Sequence, residues 1–593
     1  MTVVQVAPLL RLPYGRDFYD YATDGPATTG SVVSIAFRGK KVRGVVIGPA
    51  PETKKKRTLL ALEPLPQAPT LPATSIALFR FMREEYGVGY GVLFRSLSNF
   101  INFKKLSMIA PGYHEKLTQT FQTHPWMHVA STAEYQNAIR EAYNQNTDAQ
   151  ILVLFPNTIR LEQAVAAAPK DLQPVAIHSG ISTRALRKAG TAALTGNPIL
   201  MFATRIGLFL PFTNVRAVLL FHENHEDYGP LEMTPRYCVA DVALRLAHLH
   251  GAHYHPMGSA PSVPTYIRDL TAGAAPTVTG APTTIVDMEA RPKEERVISH
   301  ECFALIEGAV REQKNIILIH EYSGKTATLR CRACSSLARC LHCHHALTQY
   351  GNRIRCNACR KSVRLPLTCQ RCQSSNLVLQ SGGIEQAYQV LERELKPHLA
   401  GVPFFLHRLS ADNPTLPSKT RRPAVVLATS YVFDRIGAAT SVLDPLGGVA
   451  VLSVDGLLGR EEYTSAEVVF SRLTELAYAS HEYGWPLLVQ TRLATHPIFV
   501  ALENGTLNNF YTQEIAERTQ FGFPPATTML TVRLREPIPT LTRFIKQHAG
   551  TDEVAKWDTT VILRWKADHV DFRRQFQSLL LDRFAGKLTI DIR

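Results

Sequence analysis

No stretch of the 593 residues approaches the roughly 18 consecutive apolar positions that a membrane helix needs; the longest, such as Ile151–Phe155 and Ala217–Phe221, are strand-sized. The start lacks the basic opening of a secretory signal, and Arg11, Arg16 and Asp17 interrupt the residues beyond Leu10, so no signal peptide is expected. Acidic residues are also short, 50 against 65 Lys+Arg, which leaves a formal net charge of +15. Cysteine is scarce outside one place: eight of the ten lie between Cys331 and Cys372. These shortages exclude a membrane-spanning helix and a disulfide-dense secreted scaffold. The 45% hydrophobic content excludes wholesale disorder. A cytoplasmic, basic chain of about three to five domains with no membrane partner is expected. Its charge sign favours phosphate backbones through long-range attraction and counterion release.

The organisation changes along the chain. The first hundred residues are β-rich and turn-punctuated: Ser31–Phe37 and Val42–Gly48 read as strands joined by the basic turn Arg38-Gly39-Lys40-Lys41. Lys54-Lys55-Lys56-Arg57 reads as a solvated loop, and Thr74–Tyr86 has helical spacing. From about residue 127, helices alternate with short apolar strands: Ile151–Phe155, Pro174–His178, Ile199–Ala203 and Val215–Phe221. A helix over Thr183–Leu194 is interrupted by Gly190. Such alternation predicts a parallel α/β sheet. Pro261–Pro292, rich in Pro, Thr, Ala and Gly, reads as a linker or long loop. A second α/β stretch comes next, with strands Asn315–His320, Ala424–Ala428, Gly448–Val454 and Leu487–Thr491. A compact α+β tail closes the chain, with a helix near Phe510–Thr519 and a strand Thr528–Leu534.

Four C-x2-C pairs stand in series inside the second α/β stretch: Cys331/Cys334, Cys340/Cys343, Cys356/Cys359 and Cys369/Cys372. Two thiolates spaced this way bind one ion from a tight turn, and two such turns complete a tetrahedral Zn–S4 site. The inner pairs, Cys340/Cys343 and Cys356/Cys359, can close on one zinc, which leaves Cys331/Cys334 and Cys369/Cys372 for a second. Disulfides compete with this reading, and iron–sulfur ligation is a weaker alternative. His342, His344 and His345 are available as substitute ligands. Fully sulfur-ligated sites leave no open position, so two structural Zn2+ are expected. Between Arg330 and Cys372 there are nine Lys/Arg and no Asp or Glu. Setting the −4 of two Zn–S4 centres against those nine leaves about +5, which suits a nucleic-acid surface.

Phosphoryl-transfer machinery is missing. No G-x-x-x-x-G-K-[ST] occurs, and Ser323-Gly324-Lys325-Thr326 is a decoy that runs into Cys331 instead of opening a helix. His222-Glu223-Asn224-His225 offers two imidazoles, but after a strand it lacks the helical spacing of the H-E-x-x-H metalloproteases.

The knuckle order, the adjoining Gly382-Gly383-Ile384-Glu385 and the flanking α/β stretches resemble the primosomal protein N′ family, bacterial replication-restart DNA helicases. Asp20-Tyr21 resembles the family's Phe-Asp-Tyr signature, and Phe37 with Lys40–Gly44 its basic strand–turn–strand. Ala203-Thr204-Arg205-Ile206-Gly207-Leu208-Phe209, Gly258-Ser259-Ala260-Pro261-Ser262 and Gly522-Phe523-Pro524-Pro525 resemble later family blocks in the right order. The resemblance implies a multidomain α/β protein: a β-rich domain over 1–105 that holds a DNA 3′ end, RecA-like helicase lobes over 126–285 and 286–505, a zinc-binding insertion over 329–376 and an α+β domain over 506–593. It implies Asp20, Tyr21, Phe37, Lys40, Lys41 and Arg43 as DNA contacts. Implied partners are forked and single-stranded DNA, nascent 3′ ends, and restart and single-strand-binding proteins.

Departures from the pattern are concentrated in the motor. The phosphate loop's place reads His128-Val129-Ala130-Ser131-Thr132-Ala133-Glu134, with no glycine from Tyr113 to Ser179 and no lysine between Lys116 and Lys170. The Asp-Glu-Glu-His box has His222 for the magnesium-holding Asp. The arginine-finger block reads Glu475 to Glu482 without an arginine. The expectation is a DNA-binding replication-restart protein that has no catalytic residues, does not use ATP or Mg2+, and neither hydrolyses ATP nor unwinds DNA. The alternatives are an active 3′–5′ helicase with diverged motifs and a zinc-ribbon interaction protein without a DNA role.

Overall fold

The computed structural model describes the chain except residues 1, 26, 52–58, 66–67, 69, 104–119, 230–234, 279–282, 290, 292–296, 322–325, 332, 334–346, 351–352, 357–361, 364–367, 370–371, 382–383, 400, 411–412, 418–421, 459–462, 535–538, 551–552, 558–559, 585–586 and 593. The basic run Lys54–Arg57 and the decoy's Ser323–Lys325 therefore lie outside the described residues; Thr326 opens a strand, Thr326–Cys331. The chain divides into two compact units, Met1–Pro276 with Arg518–Arg593, and Thr277–Glu517.

The first unit opens on an antiparallel sheet ordered Tyr19–Thr23, Thr2–Pro8, Lys40–Pro49, Val32–Phe37, Glu63–Pro64. Its central hairpin turns on Arg38 (φ 48°) and Gly39 (φ 76°), the two positive φ values that a tight two-residue turn requires. The helices Ala73–Tyr86 and Tyr90–Leu97 come after it. The next sheet is parallel, in the order Gln122–Thr123, His253–Gly258, Val215–Phe221, Gln150–Leu154, Ile199–Ala203, Val175–Ile177. Strand Met127–His128 also pairs with His253–Gly258. Ile151, Leu152, Val153 and Leu154 are all fully buried because both sheet faces are covered, as parallel sheets require. Leu152 and Leu154 join the core of the two N-terminal helices, including Phe79 and Phe94. Ile151 and Val153 pack instead with Ile139 and Leu161.

Two sequence expectations are corrected. Gly190 does not interrupt its helix, which runs unbroken over Thr183–Thr195. Its missing side chain lets the helix approach Phe100, whose carbonyl oxygen would lie 2.5 Å from a Cβ. Pro261–Pro292 is not all loop either. Ser262 caps a helix, Val263–Thr271, whose Pro264 sits where no amide partner is needed, and Thr284–Asp287 is a strand.

The unit's last sheet, ordered Glu553–Trp557, Thr560–Lys566, Thr527–Leu534, Leu588–Ile592, is antiparallel and carries the helix Val570–Arg583. That helix docks on Ala73–Tyr86. Gly87, at φ 65°, leaves room for Leu581 and Ile590, which would lie 2.4 and 2.6 Å from a Cβ. Beside it, fully buried Arg573 is ion-paired with Glu85, and Arg574 reaches the same carboxylate at 2.7 Å. Burial pushes the Arg573 guanidinium pKa down, against the pull of the neighbouring Glu85 carboxylate. Glu85→Ala would strand a buried charge, at a cost of about 3–5 kcal/mol. Amide exchange along Val570–Arg583 is expected to accelerate roughly 100-fold or more, and Glu85→Ala/Arg573→Met to recover most of that loss. Unchanged exchange in Glu85→Ala would show that the pair does not hold the two helices together.

The second unit holds a parallel sheet ordered Thr284–Asp287, Leu487–Thr491, Leu446–Ser453, Asn315–His320, Ala424–Ala428, Phe405–Leu409. Its core, with Ile316, Leu318, Val425, Leu427 and Ala450, is separate from that of the first unit. An antiparallel sheet, Ser362–Val363, Arg353–Cys356, Leu347–Tyr350, Thr326–Cys331, Leu377–Ser381, carries the cysteines. Among the described residues no helix is long and apolar enough to cross a membrane.

Candidate functional site

The sequence marks three places for chemistry. The first is the N-terminal hairpin. Alternation along Val32–Phe37 buries Val33 and Ile35 and leaves Phe37 half-buried at the turn. Tyr19 packs against Phe37, ring centroids 5.3 Å apart, and the Arg38 guanidinium lies 5.4 Å from the Phe37 centroid. Lys40 and Lys41 are exposed at the start of the next strand, and Lys41 reaches Glu63 at 2.7 Å. Arg43 is half-buried, its Nη1 buried without a hydrogen-bond partner among the described residues. Asp20 is half-buried and pairs in register with Gln5.

Tyr21 does not share that surface. It is 3% exposed, and its hydroxyl donates to the Ala36 carbonyl at 3.0 Å, which braces the strand carrying Phe37. The aromatic that does share the surface is Tyr19, two positions earlier in the same strand. Tyr19 and Tyr21 lie on the same face of the strand, and Tyr19, at its open end, packs at the edge of the cluster that buries Tyr21. Asp17, which no motif marks, is buried and anchors the module through a two-pronged pair with Arg83, 3.0 Å on each arm, and through the Tyr90 amide at 2.9 Å. Tyr14, Phe18 and Tyr90 surround that guanidinium.

The second place is the rim of the first unit's parallel sheet, at the carboxyl ends of Met127–His128, His253–Gly258 and Val215–Phe221. Open α/β sheets take ligands at this edge. A phosphate cradle there needs free amides at a helix start. The helix Thr132–Gln145 instead fills its own start: Ser131 Oγ accepts from the Glu134 amide at 3.2 Å, and Glu134 Oε2 accepts from the Ala130 and Ser131 amides at 2.9 Å each. Partial burial works against its charge, but those amides hold the Glu134 carboxyl below its ordinary range.

Next to it, Glu223 is buried and accepts from the Ser262 amide at 2.8 Å and from the Ser262 and Thr265 hydroxyls at 2.7 Å each. Its carboxylate thereby caps the start of Val263–Thr271. His222, the residue before Glu223, adopts a positive φ of 51°. In the second unit, Glu475–Glu482 lies inside the helix Ser465–Tyr483.

The third place is the cysteine cluster. Cys334, Cys340, Cys343 and Cys359 lie outside the described residues, as do His342, His344 and His345, and only the backbone of Cys356 is described, at the end of a strand. Cys331 ends its strand, and Cys369 opens a tight turn in which its amide donates to the Ser374 carbonyl and its carbonyl accepts from the Gln373 amide. The sulfurs of Cys331, Cys369 and Cys372 lie within 4.8 Å of one another, with Cys331 Sγ and Cys372 Sγ 3.6 Å apart. A disulfide needs about 2.05 Å, whereas two sulfurs on one tetrahedral zinc, each bonded at about 2.3 Å, stand roughly 3.7 Å apart. The donor set fits that ion. The first and last knuckles meet, although 41 positions separate Cys331 from Cys372.

A small β-rich module in front of parallel α/β sheets defines a multidomain α/β protein. A family model described as the 3′DNA-binding domain (3′BD) of PriA matches residues 8–98. The chain is 25% identical to replication restart protein PriA of Synechocystis over 60% of this chain and 45% of that protein. With the PriA of Bacillus subtilis the identity is 24%, over 64% of this chain and 50% of that one. With that of Chlamydia pneumoniae it is 22%, over 69% and 57%. The chain thus spans about half the length of these curated relatives, and it is PriA-like. Among solved structures, yeast Dbp5 bound to RNA and ADP BeF3 is 8% identical, with a TM-score of 0.34, over 76% of this chain and 97% of that one.

Proposed function

We propose that this chain is a DNA-binding replication-restart protein that recognises forked DNA and has lost its motor. The carrying observation is the rim of the first parallel sheet, where the amides that would cradle a phosphate are given to the chain's own Glu134. In this reading residues 1–105 hold the nascent 3′ end, 126–285 and 286–505 are degenerate RecA-like lobes, 329–376 form a two-zinc insertion and 506–593 an α+β domain. Cys331, Cys334, Cys369 and Cys372 would hold one zinc, and Cys340, Cys343, Cys356 and Cys359 the other. Restart and single-strand-binding proteins are the proposed protein partners.

The Tyr19–Phe37 pair supplies stacking faces for unpaired bases, and Arg38, Lys40 and Lys41 supply charge for the backbone. Asp20 offers a carboxylate to a terminal hydroxyl, while Tyr21 supports from beneath. The Lys41–Glu63 pair is exposed on both sides and so contributes little to stability, which leaves Lys41 available to phosphate.

Fluorescence titration of labelled forks carrying a recessed 3′ end tests this reading. Binding is expected to be tighter than to blunt duplex, with a steep salt dependence. Lys40→Glu/Lys41→Glu should weaken it and flatten the slope by roughly 0.9 for each phosphate no longer neutralised. Equal affinity for fork and blunt duplex would refute the reading.

A further inference from the structure

We propose that His124, His253 and His255 form a metal site for a borderline divalent cation, zinc foremost, separate from the cysteine cluster. Strand His253–Gly258 alternates: Tyr254 and Pro256 are buried, so His253 and His255 point to the other, half-open face. The parallel edge strand pairs Gln122 with His253 and Thr123 with Tyr254, and the His124 amide continues the ladder to the Tyr254 carbonyl at 3.0 Å. That register sets His124 beside His255.

The side chains converge as ligands do. One ring nitrogen from each histidine lies within 4.8 Å of those of the other two. His124 Nε2 stands 2.8 Å from His253 Nδ1, and the His124 ring stacks on His255 at a centroid distance of 4.0 Å. Two nitrogens on a tetrahedral zinc, bonded at about 2.0–2.1 Å, stand roughly 3.3 Å apart, so the hydrogen-bonded His124–His253 pair must open by about half an ångström and the His124 ring must turn out of its stack on His255 to aim its lone pair at a shared ion. On the neighbouring helix, the Arg268 side chain reaches the His124 carbonyl at 3.5 Å, and its charge is met by Asp269 at 2.7 Å.

Three imidazoles with no carboxylate or thiolate among them suit zinc, copper or nickel, not magnesium or calcium. Half-open burial leaves the fourth position to water. Bound there, the ion would staple the two-residue edge strand Gln122–Thr123 to its neighbour. It would thereby fix the segment that leads through Met127–His128 into the Glu134-capped helix.

Cobalt uptake separates this site from the cysteines, because thiolate ligation adds a near-ultraviolet charge-transfer band and imidazole ligation does not. Full-length protein is stripped and dialysed against Co2+ alone. His124→Ala and His255→Ala are each expected to lose one ion per chain, with the thiolate band unchanged. Cys369→Ser should lower that band yet keep the histidine-held ion. Should either alanine variant misfold by circular dichroism, the half-exposed His253→Gln serves in its place. Full cobalt uptake by folded histidine variants would overturn the proposal. So would loss of the thiolate band together with the histidines, which would mean a single shared site. Fork binding is not needed for either readout, so the proposed DNA function and this site stand or fall separately.

Discussion

Purified full-length protein is expected to hydrolyse ATP no faster with saturating forked DNA than without it, and to leave a labelled fork unparted. Phosphoryl transfer depends almost wholly on positioning and on charges facing the transferred group. At the rim those charges are absent or inverted. The Ala130 and Ser131 amides donate to Glu134, a carboxylate where a triphosphate would place its own negative charge. No lysine lies between Lys116 and Lys170 to offset it. In the proposed reading His222 stands in for a metal-holding carboxylate, and Glu223 accepts hydrogen bonds from Ser262 and Thr265. An arginine finger alone is worth about 10³–10⁵ in rate, and Glu475–Glu482 carries none. Relieving one defect should therefore restore nothing: Glu134→Gln frees the amides but supplies neither lysine nor fingers. DNA-stimulated turnover that disappears in Glu223→Gln would establish a working motor and end this reading.

The parallel strands are legible in the sequence, because each is a short apolar run buried on both faces. Ile199–Ala203, Val215–Phe221, Asn315–His320 and Ala424–Ala428 have the ends that alternation and turn residues imply. Features that depend on tertiary packing are not legible in the same way. Tyr21 reads as a DNA contact, yet it is buried with its hydroxyl on the Ala36 carbonyl, while Tyr19, on the same strand face but at the strand's end, meets Phe37. The helix Val263–Thr271 is hidden by the composition of its flanks, though Ser262 followed by Pro264 is a start signal. The motif losses stand in the sequence as missing residues. That Glu134 occupies the vacated amides does not, since a Ser-x-x-Glu capping box acquires this meaning only when its helix is placed at the sheet's ligand edge. The histidine cluster is hidden for a similar reason: His124 and His255 are 131 positions apart and meet only through the pairing of parallel strands.

Replacing Cys331 with serine is expected to cost the chain one zinc ion and the whole protection of the sheet around it. Cys331 ends the strand Thr326–Cys331, which pairs antiparallel with Leu377–Ser381, and the turn holding Cys369 and Cys372 leads directly into that partner strand. A small antiparallel sheet has little apolar area with which to offset the entropy of its own ordering, so a zinc held by these sulfurs would supply the difference. Structural zinc contributes an apparent 10–16 kcal/mol, roughly, in small zinc modules, as much as an ordinary domain's entire stability. Removing one ligand should therefore abolish amide protection over Leu377–Ser381 instead of merely lowering it. The parallel sheet of the same unit has its own core, with Ile316, Val425 and Leu427 buried together, and protection over Ala424–Ala428 should persist. Metal content by atomic absorption together with exchange mass spectrometry reads both effects on one sample. Unchanged zinc in Cys331→Ser, or protection of Leu377–Ser381 surviving its loss, would mean that Cys331, Cys369 and Cys372 stand together without holding an ion. Loss of protection at Ala424–Ala428 as well would mean that the metal supports the larger sheet and not the small one alone.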